Sequence, residues 1–148
     1  MANVIQIDRS RRFDLFTFDK PWEIVEQDER SLALTRIDLD KIQLAYMLRN
    51  AENRVKGEQR LSRAKERGLI CLDAMVLQTL WENQSLIPDK WKKSINDRIT
   101  RIFFDGTVIV GPARRRYTLS LSWFDDEWHW SFKWLSQSAT HPSALLRS

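Results

Sequence analysis

The sequence predicts an α+β fold: an N-terminal strand and hairpin, three to four central helices, and a C-terminal antiparallel β-meander with a Trp-rich face packed on the helices. Two observations carry this reading. Apolar residues alternate with period 2 up to Ile37, follow a period near 3.6 from Asp40 to Trp91, and alternate again from Ile99 onward. With 148 residues, 43% of them apolar, and only four glycines and four prolines for linkers, the chain reads as a single globular domain over 1–148.

Val4–Ile7 is short, apolar and β-branched, as an opening strand is. Trp22 to Ile37 reads as a hairpin, with Trp22, Ile24 and Glu26 in phase on one arm, Leu32, Leu34 and Arg36 on the other, and the polar run 27–30 between them. Asp40 then caps a helix whose Leu44, Met47, Leu48, Ala51 and Val55 follow one buried stripe as far as Gly57. A second helix follows and is mostly solvated, because only Leu61 and Ala64 are apolar before Gly68 stops it. Asp73 caps a third that buries Val76, Leu77, Leu80 and Trp81 and ends at Asn83 to Ser85. Pro88 opens a short fourth helix carrying Trp91, since its missing N–H costs nothing in a first turn.

From Ile99 four antiparallel strands are expected, with Asp105-Gly106 as a type I′ hairpin turn, Gly111 to Ala113 as the next reversal and Asp125-Asp126 as the last. Tyr117, Leu119, Leu121 and Trp123 share a face with Trp128, Trp130, Phe132 and Trp134. Thr118, Ser120, Ser122, His129, Ser131 and Lys133 form the opposite, largely wet face. The aromatic stripe can stack bases or sugars, but it is the only strongly apolar face these strands offer, which favours a place in the core. The tail after Leu135 is polar and turn-prone, with Leu145 and Leu146 as a final anchor.

Chemistry is sparse. The lone Cys71 excludes an intramolecular disulfide and a Cys-rich zinc site, and in its apolar setting it reads as an inert thiol suited to a reducing compartment. His129 neighbours Asp125 and Asp126, yet the spacing supplies neither a nucleophilic triad nor a metal set. The glycines at 57, 68, 106 and 111 never take a phosphate-loop spacing. Accordingly no catalytic residue, metal ligand or cofactor is assigned. The chain has no run of 18 apolar residues, and its first residues lack the order of a secretory signal, so a cytoplasmic protein with no membrane partner is expected.

Charge is more informative. The net charge is +4, but residues 49–67 hold seven basic and three acidic residues and residues 89–116 hold eight and three, while residues 1–40 are net acidic. On a continuous helix Lys56, Arg60, Arg63 and Arg67 make one basic stripe. Lys90, Lys92 and Lys93 form a second cluster and Arg114, Arg115 and Arg116 a third. Such clusters neutralise phosphates or steer an acidic protein, and an ordinary solvated face carries the same composition. The expected function is a non-catalytic accessory or regulatory protein docking on a macromolecular partner through these segments. Direct nucleic-acid binding is the alternative, and a small enzyme comes third.

Six stretches, VIQIDRS (4–10), QDERSLALT (27–35), LWENQSLIPDKWK (80–92), IFFDGT (102–107), WHWSFKWL (128–135) and PSALL (142–146), resemble a family of small uncharacterised bacterial proteins. The resemblance spans nearly the whole chain and implies no activity, ligand or catalytic residue.

Overall fold

The computed structural model describes residues 3–14, 22–92 and 100–147. In chain order the elements are β1 (Val4–Gln6), β2 (Glu23–Gln27), the one-turn α1 (Glu29–Leu32), β3 (Arg36–Asp38), β4 (Gln43–Ala45), β5 (Val55–Lys56), α2 (Gly57–Glu66), β6 (Ile70–Cys71), α3 (Ala74–Glu82), β7 (Thr100–Val110), β8 (Arg116–Phe124), β9 (Glu127–Trp134), β10 (Ser138–Ala139) and β11 (Ser143–Leu146). The fold is thus α+β. Its main sheet runs β4-β11-β7-β8-β9, antiparallel except where β11 lies parallel to β7. Strand β2 adds to the second half of β7, and β6 to the end of β11. Two short ladders, β1 with β3 and β5 with β10, complete it.

Helix α3 forms where the sequence places it, because Asp73 caps it through the Met75 N–H. The same buried carboxylate also accepts from Ser31 and from the Arg9 guanidinium, which ties the N-terminal segment to the helix. Val76, Leu77 and Leu80 of α3 are fully buried with Ile102, Phe104, Leu119 and Leu121 of β7 and β8. Each such side chain contributes about 1.5–3 kcal/mol by leaving water. Trp91 is buried in a 3-10 turn, Asp89–Lys92, directly after Pro88.

The expected hairpin over 22–37 does not form. Asp28 accepts from the Arg30 and Cys71 backbone N–H groups, so the polar run starts α1 instead of a turn. As a result β2 pairs with β7, and β3 with β1 through Ile5 opposite Ile37.

The expected helix from Asp40 is also replaced. Asp38 caps a 3-10 turn at Leu39–Lys41, β4 follows, and Ala51 takes a left-handed φ of 68°. The helical spacing of Leu44 and Met47 is met another way. Leu44 sits opposite Ala144 in the sheet, while Met47 drops into a second apolar cluster with Ala64, Cys71 and Leu145. Pairing with β11 outweighs a weak intrinsic helix preference.

Asp105-Gly106 is no turn; both residues lie within β7, at an irregularity between Phe104 and Ile109, so three long strands stand where four were expected. The Gly106 N–H donates to the Leu72 carbonyl and its own carbonyl accepts from Asp28. Only glycine allows this approach: a Cβ there would fall on the Cys71 carbonyl oxygen and 2.5 Å from the Leu72 carbonyl carbon. At this point β7 exchanges its neighbour β11 for β2. The tail is likewise more structured than expected, since β11 enters the middle of the sheet.

The β8-β9 hairpin has the expected register, with Leu119 opposite Phe132, Leu121 opposite Trp130 and Trp123 opposite Trp128, and its Asp125 and Asp126 both take positive φ. Its aromatic face is covered in two ways. Helix α3 lies over β7 and β8, whereas Phe13 packs edge-on against Trp130 and Trp22 stacks on Phe132 at 4.6 Å. The opposite face is less wet than expected, with Thr118, Ser120 and Ser122 buried and Thr118 bonded to Asp105.

Candidate anion-binding face

The basic stripe is not a continuous exposed row. Lys56 belongs to β5 rather than to the helix and is exposed, as is Arg67 at the end of α2. Arg60 turns inward, donates twice to Asp105 and lies over the Phe103 ring at 3.6 Å. Arg63 is buried as well, donating to both Glu52 oxygens and to the Met47 carbonyl. Those bonds hold the Glu52 carboxyl down at about 2. With few apolar residues on α2, the arginine stems supply the surface that faces the core, so the helix buries two of the four cations.

The remaining basic residues fall at two places. Lys92 pairs with Asp89 at 3.1 Å and sits over the Trp123 ring, and Lys93 lies outside the described residues. Lys56, Arg114, Arg115 and Arg116 meet at the other end of the sheet. Ser138 opposes Lys56, Leu135 donates to the Arg116 carbonyl, and Glu58 at the start of α2 donates to Leu135. Arg116 is neutralised by Glu58 at 2.7 Å and Glu26 at 3.2 Å. Arg114 and Arg115 stay exposed, the latter over Trp134 at 4.4 Å.

The β7-β8-β9 register builds a second feature from residues that alternation places on one face. Arg101 opposes Ser122, which opposes His129; Phe103 opposes Ser120, then Ser131; and Thr118 opposes Lys133. The result is a floor of hydroxyls between two cations. Arg101 Nε donates to Ser122 Oγ at 3.3 Å, and the Ser120 and Ser131 hydroxyls lie 3.1 Å apart. Burial lowers the pKa of Arg101, and burial followed by the nearby positive charge of Arg101 lowers that of Lys133. Among the described residues no carboxylate pairs with either.

At the turn end of this face the His129 ring stacks on Phe124, centroids 3.8 Å apart and planes 15° apart. Phe124 is 40% exposed. The His129 Nε2 is buried without a hydrogen-bond partner among the described residues, and Glu127 Oε1 is 3.9 Å from it. The period-2 pattern already grouped His129, Ser131 and Lys133 with the β8 hydroxyls. Arg101 joins them by the same parity, two residues before Phe103, a position masked in the sequence by the expected turn at Asp105-Gly106.

Two grooves lie elsewhere. One of about 710 Å³ runs between β2, α1 and α2 past Cys71, and one of about 730 Å³ lies beside β3 and β4; His129 lines neither. Burial, then Asp105 and Asp28, push the Cys71 thiol up to about 12, so it stays protonated and is a poor nucleophile. Among the described residues no cluster has the makings of a metal site, and no helix is long and apolar enough to cross a membrane. Comparisons with protein-family models, with curated proteins and with solved structures found no match.

Proposed function

We propose that this chain is a non-catalytic accessory protein of the cytoplasm that docks on an acidic macromolecular partner, and that its docking face is the Arg101–Lys133 side of the sheet. Exposed Arg114 and Lys56 lie beyond the Lys133 end, whereas Arg115 sits over Trp134 on the opposite, aromatic face. One observation carries the reading. Of the basic residues that the sequence singled out, Arg60, Arg63, Lys92 and Arg116 pair with carboxylates and Lys56, Arg67, Arg114 and Arg115 are exposed to water, whereas Arg101 and Lys133 are half-buried and without a carboxylate among the described residues. Holding two like charges partly out of water is unfavourable in the free protein, and an anion that reaches the two cations removes that cost.

Titration with inorganic polyphosphate, followed by tryptophan fluorescence at several salt concentrations, tests the assignment. The Arg101→Gln/Lys133→Gln variant is expected to bind more weakly and with a shallower salt dependence than the parent. Superimposable curves for the two proteins would refute it.

A further inference from the structure

We propose that the polyanion taken by this face is a single-stranded nucleic acid, with the Phe124–His129 pair stacking one base while Arg101 and Lys133 hold the backbone phosphates. The inference rests on the docking face described above and adds the class of partner.

Three features point to it. First, the aromatic pair sits on the same face as the cations. Phe124 and Ser122 are two residues apart on β8, and Ser122 lies between Arg101 and His129 in the register. An exposed ring already held flat by a second ring offers a π-face that any base can use, with little ordering left to lose. An acidic protein surface would neutralise the cations and gain nothing specific from that ring. Second, the cations are spread. Ser122 beside Arg101 and Thr118 beside Lys133 are four residues apart, about 13 Å along the strand. An extended chain with regularly spaced charges, laid along the strands, meets both. Third, the face is directional. Asp125, Asp126 and Glu127 close the turn end, while Lys133 lies toward the other, so a phosphate chain leaves the stacking pair toward Arg101 and Lys133. In a duplex the bases are stacked inward and cannot lie on this platform.

Fluorescence anisotropy with a labelled ten-nucleotide single strand, the matching duplex, polyphosphate and poly-glutamate tests the proposal. The single strand is expected to bind more tightly than the duplex and poly-glutamate. Phe124→Leu should weaken it roughly fivefold or more, the effect of losing one base stack, while leaving polyphosphate binding unchanged. Phe124→Tyr, which keeps the ring, should restore it. Arg101→Gln/Lys133→Gln should reduce the log-log salt slope by about 1.4, at about 0.7 per single-strand contact. Near-UV circular dichroism of each variant confirms the fold. Polyphosphate binding that depends on Arg101 and Lys133, alongside single-strand binding no tighter than duplex or indifferent to Phe124→Leu, would overturn the nucleic-acid assignment and leave the docking face standing. Poly-glutamate bound as tightly as the single strand would also overturn it, in favour of an acidic protein. Failure of every polyanion to bind would refute both.

Discussion

Arg60 of α2 and Asp105 of β7 form a two-bonded ion pair, Nε to Oδ2 at 2.7 Å and Nη2 to Oδ1 at 2.9 Å, with side chains only 3% and 1% exposed. Thr118 and Ser143 donate to the same carboxylate from β8 and β11. One acid therefore joins a helix to three strands at the place where β7 changes partner. Asp105→Ala is expected to cost about 3–5 kcal/mol, because it leaves a guanidinium buried without a counter-charge. Urea unfolding measures this, and the paired variant Arg60→Met/Asp105→Ala should lose less than the two single changes added together.

Gly106→Ala tests the other half of that junction. The new methyl group would meet the backbone at Cys71 and Leu72, which cannot rotate away as a side chain can. A loss of about 1–3 kcal/mol or more is expected, the range for overpacking a filled site. Unchanged thermal stability would show that β6 and β7 separate more freely than their hydrogen bonds imply.

Which parts of this fold were legible in the sequence follows from the range of the interactions involved. Asp73 capping α3, Gly68 ending α2 with a φ of 67°, and the Asp125-Asp126 turn are local devices, and each lies where its residues predict. The β8-β9 register follows from alternation across a short turn, so Thr118, Ser120, Ser122, His129, Ser131 and Lys133 were grouped correctly, while Phe124 was not among them. Asp105-Gly106 misled because a good turn pair was drawn into a strand by Arg60 and Leu72, distant contacts that local pattern cannot show. Leu44 and Met47 misled for a similar reason, since their helical spacing is satisfied by β11, a hundred residues away. Arg60 and Arg63 had looked like a solvated stripe, because their acids, Asp105 and Glu52, sit on other elements.

Trp128→Ala is expected to destabilise by about 3–5 kcal/mol, the usual cost of truncating a buried large aromatic. Trp128 is 4% exposed and packs edge-on with Trp123. Trp130, half-buried beside Phe13 and Phe132, should cost less when truncated in the same way. Thermal unfolding of the two variants compares them directly, and the reverse order would contradict the packing described.

Acid should loosen the loop before α2. Glu52 has its carboxyl lowered from 4.5 to about 2, first by the Arg63 side chain and then by the Arg49 backbone N–H. A group depressed in the folded state contributes stability above its unfolded value and loses it as pH falls through the folded one. The contribution should thus fade between about pH 4.5 and 2. Glu52→Gln removes most of that dependence, and acid titration of parent and variant by circular dichroism should show curves that converge toward pH 2.

Lys133→Met separates a binding residue from a stabilising one. Burial and the charge of Arg101 lower the pKa of Lys133 below 10.5 in the folded protein. In the window just under that unfolded value the unfolded chain binds more protons than the folded one, so this lysine adds stability as pH rises and opposes folding while it is charged. Removing the charge should therefore raise stability at neutral pH, by a few tenths of a kcal/mol at a half-exposed site. The difference between variant and parent should shrink as the pH is taken toward 10.5. Polyanion affinity should fall in the same variant. A residue whose removal stabilises the fold and weakens binding is there for the partner, since sites kept for function commonly cost stability. Chemical unfolding between neutral pH and pH 10.5, paired with the polyphosphate titration, reads both effects. A variant less stable than the parent at neutral pH would show that the Lys133 ammonium has a counter-charge in the free protein, and the case for an anion across this face would lose its main support.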